Sequence, residues 1–472
     1  MRTKIDLLII NPDSSAQAYQ DLAKLYAAIE PPTWALLLAQ AMRVKGHSVA
    51  ILDCDAEKLS IEGAVKRIND LNPRFLLFCV YGQNPNSGTT SMIGACLLAK
   101  ACKTNYPDLQ IGFVGSHTSA LPREVLSYSF VDIVFLNEGV YALDNLLKSD
   151  LKNDLKKIRG IGWKNKYDFN EPQLILNPPE RVVPSNLLDI DLPGYAWDLL
   201  PYHKKPLDLY QAHFWHAEFD HKKRSPFAAI YTSLGCQFAC NFCMINIVNR
   251  VDNEDGVDAS HSKGMRFWSP EFIQGEIEKL VKMGIETLRL SDEMFFLNRR
   301  YYEPLLNGII DRGFKLNMWA YSRVDSVRQD KLELFKRAGI NWLALGIEAG
   351  NQIVRQEVHK GTFKDVNIRD VCATITNADI NIISNYIFGF PDDTMETMQQ
   401  TLDLALELNT EMANFYPCQA LPGSPLYTHA QKEGWKLPDS FEGFAFLSYE
   451  SQPLPTKHCT ASEVLKFRDE AW

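Results

Sequence analysis

The chain has 472 residues, 46% of them hydrophobic, and its 58 acidic and 49 basic side chains leave a net charge of −9. That is more than one ordinary domain, with apolar content ample for buried cores. The acidic balance disfavours a protein whose main task is gripping nucleic acid, and no apolar run reaches the ~18 residues of a membrane span.

The opening MRTKIDLLIINPD has an apolar stretch too short for a signal segment and no small-residue cleavage site, so it reads as a first β-strand. Through residue 147, the runs IDLLIIN, SVAILDC, RFLLFCVYG, QIGFVGS and DIVFLNEG read as buried strands. Helical patterns such as TWALLLAQAMRVKGH and TTSMIGACLLAKACKTN separate them. This alternation predicts a Rossmann-like, doubly wound parallel sheet, in which ligands bind at the carboxyl ends of strands. Those ends are Asn11-Pro12-Asp13, Tyr81-Gly82-Gln83, Gly115-Ser116-His117 and Asn137-Glu138-Gly139. They are small or polar enough to admit a large ligand, and equally suited to the turns any open sheet needs.

Residues 148–225 read as a linker containing a hairpin (GIGWKNKYDFNEPQLILNPP), with enough aromatic residues to pack on its neighbours. His213, His216 and His221 lie close together there, but their H-x2-H-x4-H spacing matches no familiar metal site and predicts a solvated loop. From 226 to 428 alternation resumes: FAAIYTSL, ETLRLSD, LNMWAYS, NWLALGIE, INIISNYIFGF and MANFYPC are six strands with helices between them. That predicts a partial (β/α)6 barrel with its active site at the strands' carboxyl ends. Residues 429–472 form a C-terminal extension.

Seven of the ten cysteines stand alone, most in apolar segments such as FLLFCVY, which fits reduced core thiols and a cytoplasmic location. The exceptions are Cys236, Cys240 and Cys243 in GCQFACNFC, directly after the first barrel strand. Three thiolates suit zinc with a fourth ligand from elsewhere, or an iron–sulfur cluster with one iron left free to bind a small molecule.

This C-x3-C-x2-C group, with Phe242 before its last cysteine, resembles the motif of the radical S-adenosylmethionine (AdoMet, SAM) superfamily. The landmarks WAYSRVDSV, LALGIEAGNQIVRQEVHKG, NYIFGFPDDTMET and ALPGSPLY resemble those of the subfamily that carries an N-terminal cobalamin (B12) domain. The resemblance implies a 4Fe-4S cluster on Cys236, Cys240 and Cys243, and AdoMet contacts from Phe242, Arg323, Glu348, Gly389 and Pro391. Asp292 and Glu293 of SDEMFF stand where the family's GGE-like turn holds the AdoMet amino group, although such a pair also suits a helix N-cap. Arg323 and Glu348 are equally suited to a buried ion pair, and Ala349 replaces the usual serine.

For the first sheet the resemblance implies cobalamin held by Asn11, Pro12, Tyr81, Gly82, Gly115, Ser116, His117, Asn137, Glu138 and Gly139. The DxHxxG motif is absent, so no histidine is expected on cobalt. The implied reaction is reductive AdoMet cleavage, hydrogen abstraction by the 5′-deoxyadenosyl radical, and methyl transfer from methylcobalamin to an unactivated carbon. The substrate would be a small molecule, and the electron donor an external protein such as flavodoxin or ferredoxin. Trp197, Phe214 and Trp215 would help to exclude water from the space between the domains. A non-methylating ring closure or rearrangement is the nearest alternative, and a non-catalytic metal-binding sensor is the alternative from another class. A transfer-RNA methylthiotransferase would need three further clustered cysteines near the N-terminus.

Overall fold

The five apolar runs of the N-terminal region form parallel strands: β1 (Ile5–Asn11), β2 (Val49–Asp53), β3 (Pro73–Val80), β4 (Gln110–Gly115) and β5 (Ile133–Phe135). Their period-2 pattern divides two cores: Leu7 and Ile9 of β1 face one, and Leu8 and Ile10 the other. The spatial order is 2-1-3-4-5, so the chain reverses direction across the sheet between β1 and β3. At such a switch point the loops part and leave a crevice for a ligand. The computed structural model describes residues 5–24, 27–82, 85–165, 173–216, 226–358, 363 and 365–472.

The predicted hairpin is present as β6 (Ile161–Asn165) and β7 (Gln173–Leu176). It is part of the first sheet, because β6 pairs antiparallel with β5. All six barrel strands are present and parallel: β8 (Phe227–Ile230), β11 (Thr287–Leu290), β12 (Asn317–Arg323), β13 (Ile340–Glu348), β14 (Asn381–Phe388) and β15 (Met412–Pro417). They are ordered 15-14-13-12-11-8, with β15 and β8 as the two edges. The run FAAIYTSL is interrupted after Ile230, and its end forms a separate strand β9 (Ser233–Leu234) paired with β10 (Arg266–Phe267).

One apolar core runs from the first sheet into the barrel. At the seam Trp34 stacks on Tyr81 (4.4 Å, 11° between planes) and packs against Tyr231. Tyr195 of the linker ties in through its hydroxyl, which donates to the Tyr231 carbonyl (3.0 Å) and accepts from the Tyr231 N–H (2.8 Å). Arg289 of β11 reaches across to pair with Glu30, and both are buried.

His213 and His216, expected in a solvated loop, are instead packed in the barrel interior. They and Trp215 lie against Trp319, Trp215 and His216 also meet Trp342, and the His216 carbonyl accepts from Asn317 Nδ2 (3.0 Å). Burial pushes His213 down to about 3 and His216 well below its usual range, so both are neutral. The gap they fill is created by an incomplete ring of six strands, which no local pattern in the linker announces. His221, Gln83 and the Lys360-Gly361 end of the HKG landmark lie outside the described residues.

Candidate active site

After β9 the chain turns at Gly235 (φ +84°), where a Cβ would stand 2.3 Å from the Gly264 carbonyl. Glycine alone meets both demands. The turn delivers Cys236, Cys240 and Cys243 on a loop pinned from several sides. Cys236 N–H donates to Asn246 Oδ1 (2.9 Å), Gly264 N–H to the Cys236 carbonyl (2.9 Å), Asn241 N–H to the Val358 carbonyl (3.0 Å), and Leu426 N–H to the Asn241 carbonyl (2.8 Å). Leu426 belongs to the PGSPLY landmark, whose Ser424 caps the helix Pro425–Glu433. That landmark therefore braces the cysteine loop.

Cys236 is buried, and Cys240 and Cys243 are half-buried. Burial pushes the first two thiols up to about 12 and Cys243 higher, so without a cation they hold their protons. A metal centre inverts that preference, because a coordinated thiol is deprotonated. Among the described residues no three His, Cys, Asp or Glu side chains crowd together as a single metal ion would require.

The neighbouring carboxylates divide the work. Asp292 accepts from the Thr232 N–H, the Thr232 hydroxyl and the Ser233 hydroxyl, each at 2.6 Å, and so ties the end of β11 to the turn after β8. These three bonds engage both of its oxygens with the protein. Neither Asp292 nor Glu293 is an N-cap; Met294 and Asn298 hold those positions. Glu293 Oε1 is buried with no hydrogen-bond partner among the described residues, and burial pushes this carboxyl up to about 8. An orphaned acid of this kind fits an incoming ammonium.

Arg323 forms a two-point pair with Asp325 (2.9 and 2.7 Å) and lies over the Phe238 ring (3.8 Å). Its two-point partner is Asp325, and the Arg323 charge also bears on Glu348 and Cys240. Glu348 sits at φ +66°, where the β13–β14 register shifts, and its Oε1 fills the space of a Gly346 Cβ (2.5 Å away). Burial pushes its carboxyl up to about 7, partly offset by the Arg323 charge. Ala349 is fully buried in an apolar cluster with Val354, Val358 and Phe390. Phe242 packs on Phe390 (5.6 Å). Gly389 (φ +85°) and Phe390 donate their N–H groups to Asp393 Oδ2 (3.1 and 2.9 Å), which shapes the turn into Pro391.

On the first sheet, Asn11 and Pro12 end β1, and Asn11 Nδ2 donates to Asp53 (2.8 Å). Tyr81 and Gly82 (φ +66°) end β3 on the other side of the switch point. The Tyr81 hydroxyl and Thr118 Oγ1 are buried without partners among the described residues, which fits a ligand edged with amides. Gly115 closes on the Val80 carbonyl, Ser116 Oγ donates to the Pro85 carbonyl (2.5 Å), and His117 Nδ1 meets Thr89 Oγ1 (3.1 Å). Asn137, Glu138 and Gly139 have other partners. Asn137 Nδ2 donates to the carbonyls of Glu180 (2.8 Å) and Arg250 (3.3 Å), and its Oδ1 accepts from Gly139 N–H (3.0 Å). Glu138 accepts from Val183 N–H (2.5 Å) and Arg266 (2.8 Å). This third edge joins the sheet to the linker and barrel.

The carboxyl edge of the first sheet therefore faces the cysteine loop. Asn86, just after β3, brings its side-chain nitrogen within 4.0 Å of Cys243 Sγ, and Glu138 N–H donates to the Val248 carbonyl (3.2 Å). Neither Asn86, Asn246, Glu30 nor Arg289 was marked by a sequence pattern. Only EPP before the first long helix and a charged residue inside a strand hinted at the last two.

Comparison with known proteins fits this geometry. Residues 21–147 match the family model "B12 binding domain", and residues 230–405 match "Radical SAM superfamily". The chain is 25% identical to "Uncharacterized methyltransferase PH0819" of Pyrococcus horikoshii over 99% of its own length and 91% of that protein. It is 23% identical to "Anaerobic magnesium-protoporphyrin IX monomethyl ester cyclase" of Cereibacter sphaeroides over 92% of its length and 65% of the cyclase. The solved structure of the cobalamin-dependent S-adenosylmethionine radical enzyme OxsB, with aqua-cobalamin and S-adenosylmethionine bound, shares the fold. It aligns with a TM-score of 0.67 at 14% identity, over 99% of this chain and 66% of that one.

Proposed function

We propose that this chain, which belongs to the cobalamin-dependent radical SAM enzymes, is a methyltransferase that places a methyl group on a carbon of a small molecule bound between its sheet and its barrel. When bound, the cluster with AdoMet supplies a carbon-centred radical by one-electron cleavage, and cobalamin supplies the methyl group. Cys236, Cys240 and Cys243 would hold the cluster and leave one iron for AdoMet. Glu293 would accept from the AdoMet ammonium, and Gly346 leaves room for the Glu348 carboxylate beside it. Phe242 and the Gly389 turn would pack near the adenine. Asn11, Pro12, Tyr81 and Gly82, at the switch point, would bear on cobalamin. The aromatic seam of Trp34, Tyr81 and Tyr231 limits water at the junction.

The observation that carries this reading is that the cysteine loop meets the carboxyl edge of the first sheet, at Asn86 and Cys243. A radical source and a methyl carrier can then act on one substrate. The full chain, reconstituted without oxygen, is expected to be brown, to keep corrinoid after desalting, and to form 5′-deoxyadenosine on reduction. It should also move an isotopically labelled methyl group from AdoMet to the corrinoid. A colourless protein that does not cleave AdoMet overturns the reading. Similarity to the cyclase supports a second, non-methylating reading, which AdoMet cleavage without any methylation of the corrinoid would favour.

A further inference from the structure

Asn86 lies in a short 3-10 turn, Pro85–Ser87, between β3 and the helix Gly88–Asn105. The turn is fixed from three directions. Ser116 Oγ donates to the Pro85 carbonyl (2.5 Å), and Thr90 and Ser91 hydroxyls donate to the Ser87 carbonyl (2.9 and 3.2 Å). A Cβ on Gly88 would overlap Ser116 Oγ at 1.9 Å, so the helix start is seated on β4's loop with no slack. The turn therefore behaves as a rigid mount on the first sheet, pointing one carboxamide at the barrel.

That carboxamide makes two contacts with consecutive residues of the cysteine loop. Its Oδ1 accepts from Met244 N–H (3.4 Å), and its Nδ2 faces Cys243 Sγ (4.0 Å). The first contact sets the orientation for the second: reversing the amide would oppose two N–H donors at Met244. The barrel side is equally fixed, because Ile245–Asn249 packs against the first sheet through the Val248 carbonyl, and Arg250 donates to the Ser119 carbonyl. The nitrogen is thus held toward a sulfur that the proposed function assigns to the cluster.

We infer that Asn86 is a positioning residue for the cluster, contributed by the cobalamin-type domain: its amide N–H donates to the Cys243 thiolate and raises the cluster's reduction potential. Reduction adds an electron to the cluster, and a donor at a ligating sulfur stabilises the added negative charge. Because the donor is mounted on the loop after β3, beside the switch-point crevice, the ease of reducing the cluster depends on how the two domains are seated. This inference rests on the three cysteines holding the cluster.

The test is an electron paramagnetic resonance redox titration of the reconstituted full chain, native and with Asn86→Ala, Asn86→Asp or Asn86→Gln. Asn86→Ala is the decisive variant, since it removes the donor to the sulfur without adding a charge, whereas Asn86→Asp would lower the potential by its charge alone. The Asn86→Ala reduced-to-oxidised ratio at fixed poise is expected to fall about tenfold, or about 59 mV for a one-electron couple. Asn86→Asp should fall further, and Asn86→Gln, which keeps a donor, should lie nearest the native value. Equal potentials for native and Asn86→Ala chains with full cluster content overturn the role of Asn86 alone. A native chain that assembles no cluster overturns this inference and the proposed function together.

Discussion

Glu293→Gln probes the site where structure and proposed chemistry meet most directly. The native carboxylate has a buried oxygen with no partner among the described residues, so its binding capacity is unspent in the cofactor-free chain. A hydrogen bond to a charged group contributes about 1.5–3 kcal/mol, equivalent to about 10- to 150-fold in Kd. Glutamine keeps an acceptor but loses the charge, so AdoMet affinity should fall toward the low end of that range, and Glu293→Ala toward the high end. The pH dependence supplies an independent signature. Burial holds the native carboxyl at about 8, so below that pH it must release a proton before it can serve an ammonium. Affinity should therefore rise with pH toward about 8 in the native chain and lack that rise in the glutamine variant. Stability without cofactors follows the same group with a definite sign. Its folded pKa lies above the ordinary value of 4.5, so the contribution to stability is full below 4.5 and is lost as pH rises to about 8. The melting temperature of Glu293→Gln relative to native should climb across that window and then level. Equilibrium dialysis of AdoMet against the reconstituted chain, with thermal melts from pH 5 to 9, measures both. Unchanged affinity in both variants, with no difference in pH dependence, would refute the assignment of Glu293.

Two further substitutions test the seam and the pocket. Arg289→Met leaves Glu30 buried and unpaired, which should cost about 3–5 kcal/mol in urea unfolding followed by tryptophan fluorescence. Adding Glu30→Gln should recover part of that loss; a double variant no more stable than Arg289→Met would show that the pair is not coupled. Gly346→Ala places a Cβ 2.5 Å from Glu348 Oε1 and should weaken AdoMet binding while leaving far-ultraviolet circular dichroism unchanged. Unaltered affinity there would remove Glu348 from the pocket.

The legible parts of this molecule are those written in short windows. Strands β1 to β5 and the six barrel strands declare themselves because each is a compact apolar run bounded by turn residues, and C-x3-C-x2-C gains meaning from following the first barrel strand. Residues whose roles depend on distant partners are not legible in this way. Asn86 and Cys243 are 157 positions apart, and Glu30 and Arg289 are 259 apart. Both pairs exist only because one sheet's carboxyl edge is pressed against the other domain's mouth. Asp292 and Glu293 show the same limit at closest range. Sequence treats the two acids as interchangeable, but the turn after β11 gives them opposite fates: one is held by Thr232 and Ser233, the other is left with a bare oxygen. His213 and His216 are illegible for a related reason. Their spacing argued against a metal, which left solvent as the default, whereas an open six-stranded barrel needs filling and the linker's aromatic segment fills it. In this fold the informative residues missed by sequence are those that join the two domains. The coupling between cluster and first sheet is therefore carried by single side chains such as Asn86, which no motif marks.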